Sequence, residues 1–494
     1  MTTTTTEETV AEVSPQELRR LLDAQRAAQA ADPIPDAATR RDRIDRFVAA
    51  VLEHGAELAE ALDADFGGRP PTISLEQDIL GGLETIAFAR ENLEAWMAPT
   101  EVPAALGGAI PAVVQRRPKG VVGVIGPWNF PVVLVFVPAV EALAAGNRVM
   151  IKFSDMAPRA GAVFARAVAS RMTPEEVVVI NGGLATATAF AELPLDHIFF
   201  TGSPKVGRLV AVAAGRNLVP VTLELGGKNP AIVAPDADVA DAAGRIAAAR
   251  LLNNGQVCLC PDYAFVPESG KDAFVAAYRQ AVLTYFPTFA DNPDVVTMVN
   301  DANYARVSGL VADAKAKGAV EVVLVPEEEQ DLVPDAKTRR LPPTLLLDAP
   351  AGAAINAEEI FGPVLVLHTY SDVAEAIAYV GAGEHPLSAY WYGGDTADFQ
   401  RFLRDTTSGA VSRNDFALAY INHAAPFGGV GMSGNGAYHG RAGFDTFTHQ
   451  RPVASSDLPV ALAPNFVPPL AAERIAGVAG ALAAAAAAAT ERLG

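Results

Sequence analysis

Between Lys119 and Glu224, short β-branched runs alternate with helical patterns, and no other feature constrains the fold of this chain as strongly. Val121-Val122-Gly123-Val124-Ile125 leads to a helical pattern over 132–145, a strand over 148–152 and a helix over 157–169. Strands over 177–180, 197–200 and 219–224 continue the series, with helices over 185–191 and 202–213 between them. Strands separated by whole helices predict parallel βαβ units with both sheet faces covered. A second cycle follows, with helices over 239–252, 271–283, 303–317, 373–380 and 397–405. Its strands fall at 262–266, 321–325, 344–347 and 364–370. The first hundred residues read as helix. Ser14-Pro15-Gln16-Glu17 forms a capping box, Leu18, Leu21 and Leu22 keep helical spacing until Gln25 interrupts them, and further patterns cover 36–66 and 74–97. The stretch 327–340 predicts a solvated loop, and 413–440 is Gly-rich with little periodicity.

Charge and cysteine usage exclude several classes. Lys plus Arg total 38 against 57 Asp plus Glu, a net charge of −19, which repels nucleic-acid phosphates and anionic lipid alike. Half the residues are hydrophobic, so a large core is possible. Cys258 and Cys260 are the only cysteines, too few for a disulfide framework or a structural zinc site, and no metal is expected. The Thr-rich start over 1–10 lacks the apolar region of a signal peptide, so a cytoplasmic protein is expected. The uncharged run 120–140 contains Pro127, Pro131 and Pro138 and reads as strand, turn and helix. The alanine-dominated run 475–490 has sixteen uncharged residues, short of the roughly twenty of a bilayer span, and predicts a surface or packing helix.

Five unusual strings fall where an open α/β sheet binds ligands. Gly126-Pro127-Trp128-Asn129-Phe130-Pro131 places an amide in apolar surroundings, where it is costly unless it has a partner and can donate to a developing oxyanion. Phe200-Thr201-Gly202-Ser203-Pro204-Lys205-Val206-Gly207 ends a strand and opens a helix, whose first N–H groups can bind phosphate. Glu224-Leu225-Gly226-Gly227-Lys228 sets a carboxylate at a strand end. Asn254-Gly255-Gln256-Val257-Cys258 presents a thiol before a strand, and Glu358-Glu359-Ile360-Phe361-Gly362-Pro363 completes the set. Each string alone is also compatible with an ordinary turn.

In this order, and with Lys152 and Ser154 between them, the strings resemble the aldehyde dehydrogenase superfamily over about residues 15–455. Cys258-Leu259-Cys260-Pro261-Asp262-Tyr263 and Pro426-Phe427-Gly428-Gly429-Val430-Gly431, leading to Gly436-Ala437-Tyr438-His439-Gly440, resemble its class 3 branch. Pro287-Thr288, Ala290-Asp291-Asn292-Pro293-Asp294 and Asn300-Asp301 look most similar to bacterial coniferyl aldehyde dehydrogenases. The resemblance implies an α/β fold of two Rossmann-like parallel-sheet domains with a small bridging, oligomerising arm. The expected divisions are a disordered start over 1–13 and an NAD(P)-binding domain over 14–226 with its arm near 107–118. A catalytic domain over 227–435, a return segment and bridging strand over 436–458, and an Ala-rich tail over 459–494 follow.

The resemblance also implies the chemistry: NAD(P)-dependent oxidation of an aldehyde to the acid. Cys258 would be the nucleophile, Asn129 with the Cys258 N–H the oxyanion donors, and Glu224 the base that activates water. NAD would be held by Trp128, Lys152, Ser154, Asp155, Gly202, Ser203, Pro204, Lys205, Val206, Gly207 and Leu225, with Glu359 on the nicotinamide ribose and Phe361 beside the ring. Asp155 stands where the family usually has Glu, which predicts some tolerance of NADP. Cys260 replaces a usual alanine, as a small buried residue or as a reversible cap on an oxidised Cys258. A homodimer acting on a small aldehyde, aromatic or cinnamyl in type, is implied. The alternatives are a medium-chain aliphatic aldehyde dehydrogenase, a non-catalytic binding relative, a coenzyme-A-acylating enzyme, or a cysteine hydrolase using His423 or His439.

Overall fold

The computed structural model describes residues 11–456, 458–468 and 472–493. Six strands form one sheet in the order Gly434–Asn435, Val221–Leu225, His197–Gly202, Val121–Ile125, Arg148–Lys152, Val177–Ile180. All neighbours are parallel except the first pair, where Gly434 lies opposite Glu224. The β-branched strand Val121–Ile125 is buried at every position, as expected for a parallel strand covered on both faces. Seven strands form the second sheet, from Val320–Val323 through Thr344–Leu347, Val364–Tyr370, Tyr263–Pro267, Pro230–Val233 and Ser388–Tyr392 to Ala410–Arg413. Only its first pair is antiparallel. The chain passes from one sheet to the other over residues 226–229. These two sheets and the N-terminal helices make one compact unit.

Residues 99–115 and 450–494 form a second, smaller unit. Thr100–Ala105 pairs antiparallel with Ile110–Pro118, and Thr448–Ala454 completes a three-stranded sheet. The segment near 107–118, expected as a bridging arm, lies mostly in the second strand of a hairpin that starts earlier. Pro103 and the weak alternation around it hide the first strand. The tail helix runs 22 residues, Ala472–Leu493, with no buried side chain. It is longer than the uncharged run because Glu473, Arg474, Glu491 and Arg492 extend both ends, and it is long and apolar enough to cross a membrane.

Other departures have local causes. The pattern over 36–66 is two helices, Ala37–Glu53 and Gly55–Phe66, broken at His54 (φ −103°, ψ 11°). The pattern over 74–97 starts as Pro71–Ile73 and a π-turn, Ser74–Ile79, and resumes only at Leu83–Met97, past Gly81-Gly82. Gln25 does not break the buried stripe: it is fully buried, and its amide donates to the carbonyls of Val149 (3.0 Å) and Pro174 (2.8 Å). The start expected to be disordered through residue 13 lies outside the described residues over 1–10. Beyond it the chain is anchored, with Glu12 accepting from the Thr186 amide and the Val13 amide donating to Thr186 Oγ1. The 327–340 loop is not merely solvated, since Glu329 accepts from the amides of Phe289 and Ala290 and Arg339 donates to the Met298 carbonyl.

Candidate active site

Sheet order explains why the strings converge. Strands ending at Leu225, Gly202, Ile125 and Lys152 are neighbours and parallel, so their C-terminal ends lie along one edge. That edge is where open α/β sheets bind ligands.

Cys258 follows a strained turn. Asn253 and Asn254 sit in the left-handed region (φ 47° and 53°), and Gly255 (φ 75°) packs so tightly on Gly362 that a Cβ would collide with the Gly362 carbonyl. Phe361 is left-handed too (φ 49°). Strain of this kind persists only where surrounding contacts hold it, and here it locks the thiol loop to the Glu359 loop. Asn229 then clamps the nucleophile from below: its Nδ2 donates to the carbonyls of Cys258 (2.7 Å) and Cys260 (3.0 Å), and its Oδ1 accepts from the Ser388 amide. Cys258 is half-buried between the buried Val257 and Leu259. Burial, then the charges of Glu359 and Glu224, push its thiol up.

Both carboxylates therefore lie within electrostatic reach of the sulfur. Glu224 is 4% exposed, and neither of its oxygens has a hydrogen-bond partner, an arrangement that favours the neutral acid. Burial and the charge of Glu141 push it well above the usual carboxylate range. Glu359 lies directly against Gly226, leaving no space for a Cβ there, and burial, with Asp262 nearby, raises it to about 8.

Asn129 is buried, and its Nδ2 donates to the Gln256 carbonyl (3.0 Å) two residues before the thiol. One amide proton is thus spent on fixing the side chain. Its backbone carbonyl accepts from Arg69 Nη1 (2.7 Å) and Asn253 Nδ2 (3.3 Å). Trp128 meets Phe361 edge-on, with ring centroids 5.3 Å apart.

The dinucleotide residues expected from sequence occupy the same edge. Lys152 is 2% exposed and, among the described residues, donates to the Phe153 carbonyl (2.8 Å); burial pushes it down. Ser154 is half-buried and accepts from the Met156 amide, while Asp155 is exposed. The helix Pro204–Gly215 begins here, with Ser203 accepting from the Val206 amide and Lys205 and Val206 exposed. Gly207 lets Leu225 pack against the helix, so Leu225 is a packing residue. A buried ammonium, an open helix start and a buried acid against a glycine fit the ribose hydroxyls and pyrophosphate of a dinucleotide.

Other residues bear on expectations left open. Cys260 is a small buried residue, the first of its two expected roles; its thiol donates to the Ala249 carbonyl (3.0 Å), and burial pushes it up to about 12. His439 stacks on Phe427 (5.7 Å) with no partner on either ring nitrogen, and burial pushes it down to about 3. His423 faces Glu84 at 3.6 Å. Neither histidine supports a thiol–imidazole pair. Val132, Val135 and Phe136, just after Pro131, are fully buried core.

Several supports were missed. Asn229 directly follows the Glu-Leu-Gly-Gly-Lys string, a buried amide next to glycines, which was the available signal. Lys228 bonds Asp262 (2.8 Å) and the Ile355 and Glu358 carbonyls, and Arg306 bonds the Glu359 and Ile360 carbonyls, together fixing the Glu359 loop. No cluster able to hold a metal ion occurs among the described residues.

Comparison with known proteins agrees in kind. The profile of the "Aldehyde dehydrogenase family" matches residues 2–453. A "Probable coniferyl aldehyde dehydrogenase" of Caulobacter vibrioides is 44% identical over 438 residues, 88% of this chain and 90% of that protein. The substrate-bound AldH of Staphylococcus aureus superposes with a TM-score of 0.83 at 33% identity, covering 90% of this chain and 95% of that one. An indole-3-acetaldehyde dehydrogenase complexed with NAD+ superposes at 0.81 with 27% identity, covering 90% of each chain.

Proposed function

The chain belongs to the aldehyde dehydrogenase family, and we propose that it oxidises an aromatic, cinnamyl-type aldehyde such as coniferyl aldehyde to its acid, using NAD(P) and Cys258. It is an oxidoreductase acting on a small aldehyde. The observation that carries the finer reading is the clamped, half-buried Cys258 thiol with Glu224 and Glu359 in electrostatic reach and Asn129 fixed beside its loop. The coniferyl-type relative supports the substrate class. So does Tyr420, an aromatic side chain within electrostatic reach of the Cys258 sulfur.

Mechanistically, Cys258 adds to the carbonyl as a thiolate to give a thiohemiacetal. Asn129's remaining amide proton and the Cys258 backbone N–H would stabilise the oxyanion, an effect worth about 3 kcal/mol per donor. A bound oxidised nicotinamide would supply the hydride acceptor, and Cys258 would then hold the acyl group as a thioester. Lys152 and Glu359 would bind ribose hydroxyls, and Gly202 to Gly207 would cradle the pyrophosphate. Glu224, once ionised, takes a proton from water, which attacks the thioester and frees the acid and the thiol. Medium-chain aliphatic aldehydes are the second reading. A cytoplasmic location and a homodimer are part of the proposal, the dimer supported by the exposed apolar side chains Leu209, Val212 and Leu218.

The direct test is NADH formation with coniferyl aldehyde, benzaldehyde and hexanal. The reading predicts kcat/KM highest for coniferyl aldehyde, and a preference for hexanal would overturn the substrate class. Asp155 supplies a further prediction. Its shorter, exposed side chain leaves room for a 2′-phosphate, so Asp155→Glu is expected to raise the NAD-over-NADP ratio of kcat/KM by about tenfold, ~1.4 kcal/mol. An unchanged ratio would contradict this.

A further inference from the structure

Glu141 is the one acid in an otherwise apolar helix, Val133–Ala144, that is buried at every position. Its carboxyl is 1% exposed, and neither oxygen has a hydrogen-bond partner of good geometry. The backbone amide of His439 is directed at it but offsets only part of the cost of burial. Room for it exists because position 443 is glycine: a Cβ there would collide with both Glu141 oxygens and its Cδ. The same stretch of chain walls Glu224, where a Cβ at Gly428 would come within 3.0 Å of Oε1. Tyr438, between these two glycines, feels both carboxyls as well as Cys258.

We propose that Glu141 is a positioning residue for Glu224: the two buried carboxyls, each seated against a glycine of the 428–443 segment, share one dry site, so that a charge on Glu141 governs when Glu224 can ionise. This rests on the reading of Glu224 as the base. Two like charges in a dry interior repel strongly, so a charge on Glu141 delays the ionisation of Glu224. Charged groups around the helix do not neutralise the pair. Arg40 is engaged with the Ala144 carbonyl at the helix end, and Asp78 pairs with Arg69 while accepting from the Val132 and Val133 amides at its start. On the adjoining helix Arg441 pairs with Asp445, which also takes Arg116. Lys152 and Arg148 on the neighbouring strand bond backbone carbonyls, and Glu84 faces His423. Tyr420 and Tyr438, both pushed up by burial, are the remaining groups that feel Glu141.

The test is the pH profile of thioester hydrolysis in Glu141→Gln, with Glu141→Asp and Glu224→Gln alongside, each checked by thermal melting. Removing the charge is expected to move the acid limb of hydrolysis down by about one pH unit or more, whereas Glu141→Asp keeps the wild-type limb. If Glu141→Gln does not fold, the smaller Glu141→Ala carries the same expectation. A superimposable limb in the neutral variant, while Glu224→Gln loses hydrolysis, would overturn this inference alone. Retained hydrolysis in Glu224→Gln would overturn the base assignment on which it rests, and the inference with it.

Discussion

Cys258→Ala is expected to lower aldehyde oxidation by about 10⁴-fold or more, because the covalent route disappears and only binding remains. The change deletes one sulfur from a half-buried position whose backbone carbonyl stays bonded to Asn229, so the loop keeps its clamp. Melting temperature is therefore expected to change little, and steady-state NADH formation is the readout. Dinucleotide binding, followed by quenching of intrinsic fluorescence, should persist, since the strand-edge residues Lys152, Ser203 and Glu359 are untouched. Retained turnover in this variant would mean that another group attacks the aldehyde. Cys260→Ala is the natural control, because that thiol is buried and bonded to the Ala249 carbonyl.

Glu224→Gln is expected to slow turnover by roughly 10²- to 10³-fold, in line with the loss of a positioned general base. The defect should fall on thioester hydrolysis, not on the first hydride transfer, so NADH should appear as a burst followed by a slow phase. The pH dependence has a definite sign. Burial and Glu141 raise Glu224, a base works only when ionised, and wild-type hydrolysis should therefore climb with pH through a limb that Glu224→Gln lacks. Glutamine matches the buried volume and leaves its polar atoms about as unpartnered as those of the neutral acid, so the variant's stability should stay close to wild type. A burst with normal steady-state rate would leave Glu224 without the assigned role.

Much of this architecture is legible in the sequence because parallel strands covered on both faces must be uniformly apolar. Val121–Ile125 is apolar and buried throughout, Arg148–Lys152 is buried throughout around its apolar centre Val149-Met150-Ile151, and the strings that end the strands carry turn residues no simple loop needs. The site's helpers were harder to see, because their roles depend on partners far along the chain. Gln25 looks like a defect in a helix until Val149 and Pro174, more than a hundred residues on, receive its amide. Asn229 gains meaning only when the chain returns to place Cys258 and Ser388 around it. Glu141 reads as a stray acid in an apolar run, and only the missing side chain at Gly443 shows that space is kept for it. The hairpin strand Thr100–Ala105 was hidden for another reason: it is exposed along its length, so burial leaves no alternating pattern to read.

The central claim is that an acyl group passes through Cys258 and is released by Glu224. Intact-protein mass spectrometry of Glu224→Gln, quenched after mixing with coniferyl aldehyde and NAD, tests it most directly. The account predicts one added acyl group per subunit, mapped by proteolysis to Cys258, together with one equivalent of NADH in the burst. NADH formed with no adduct, or an adduct on any other residue, would contradict it.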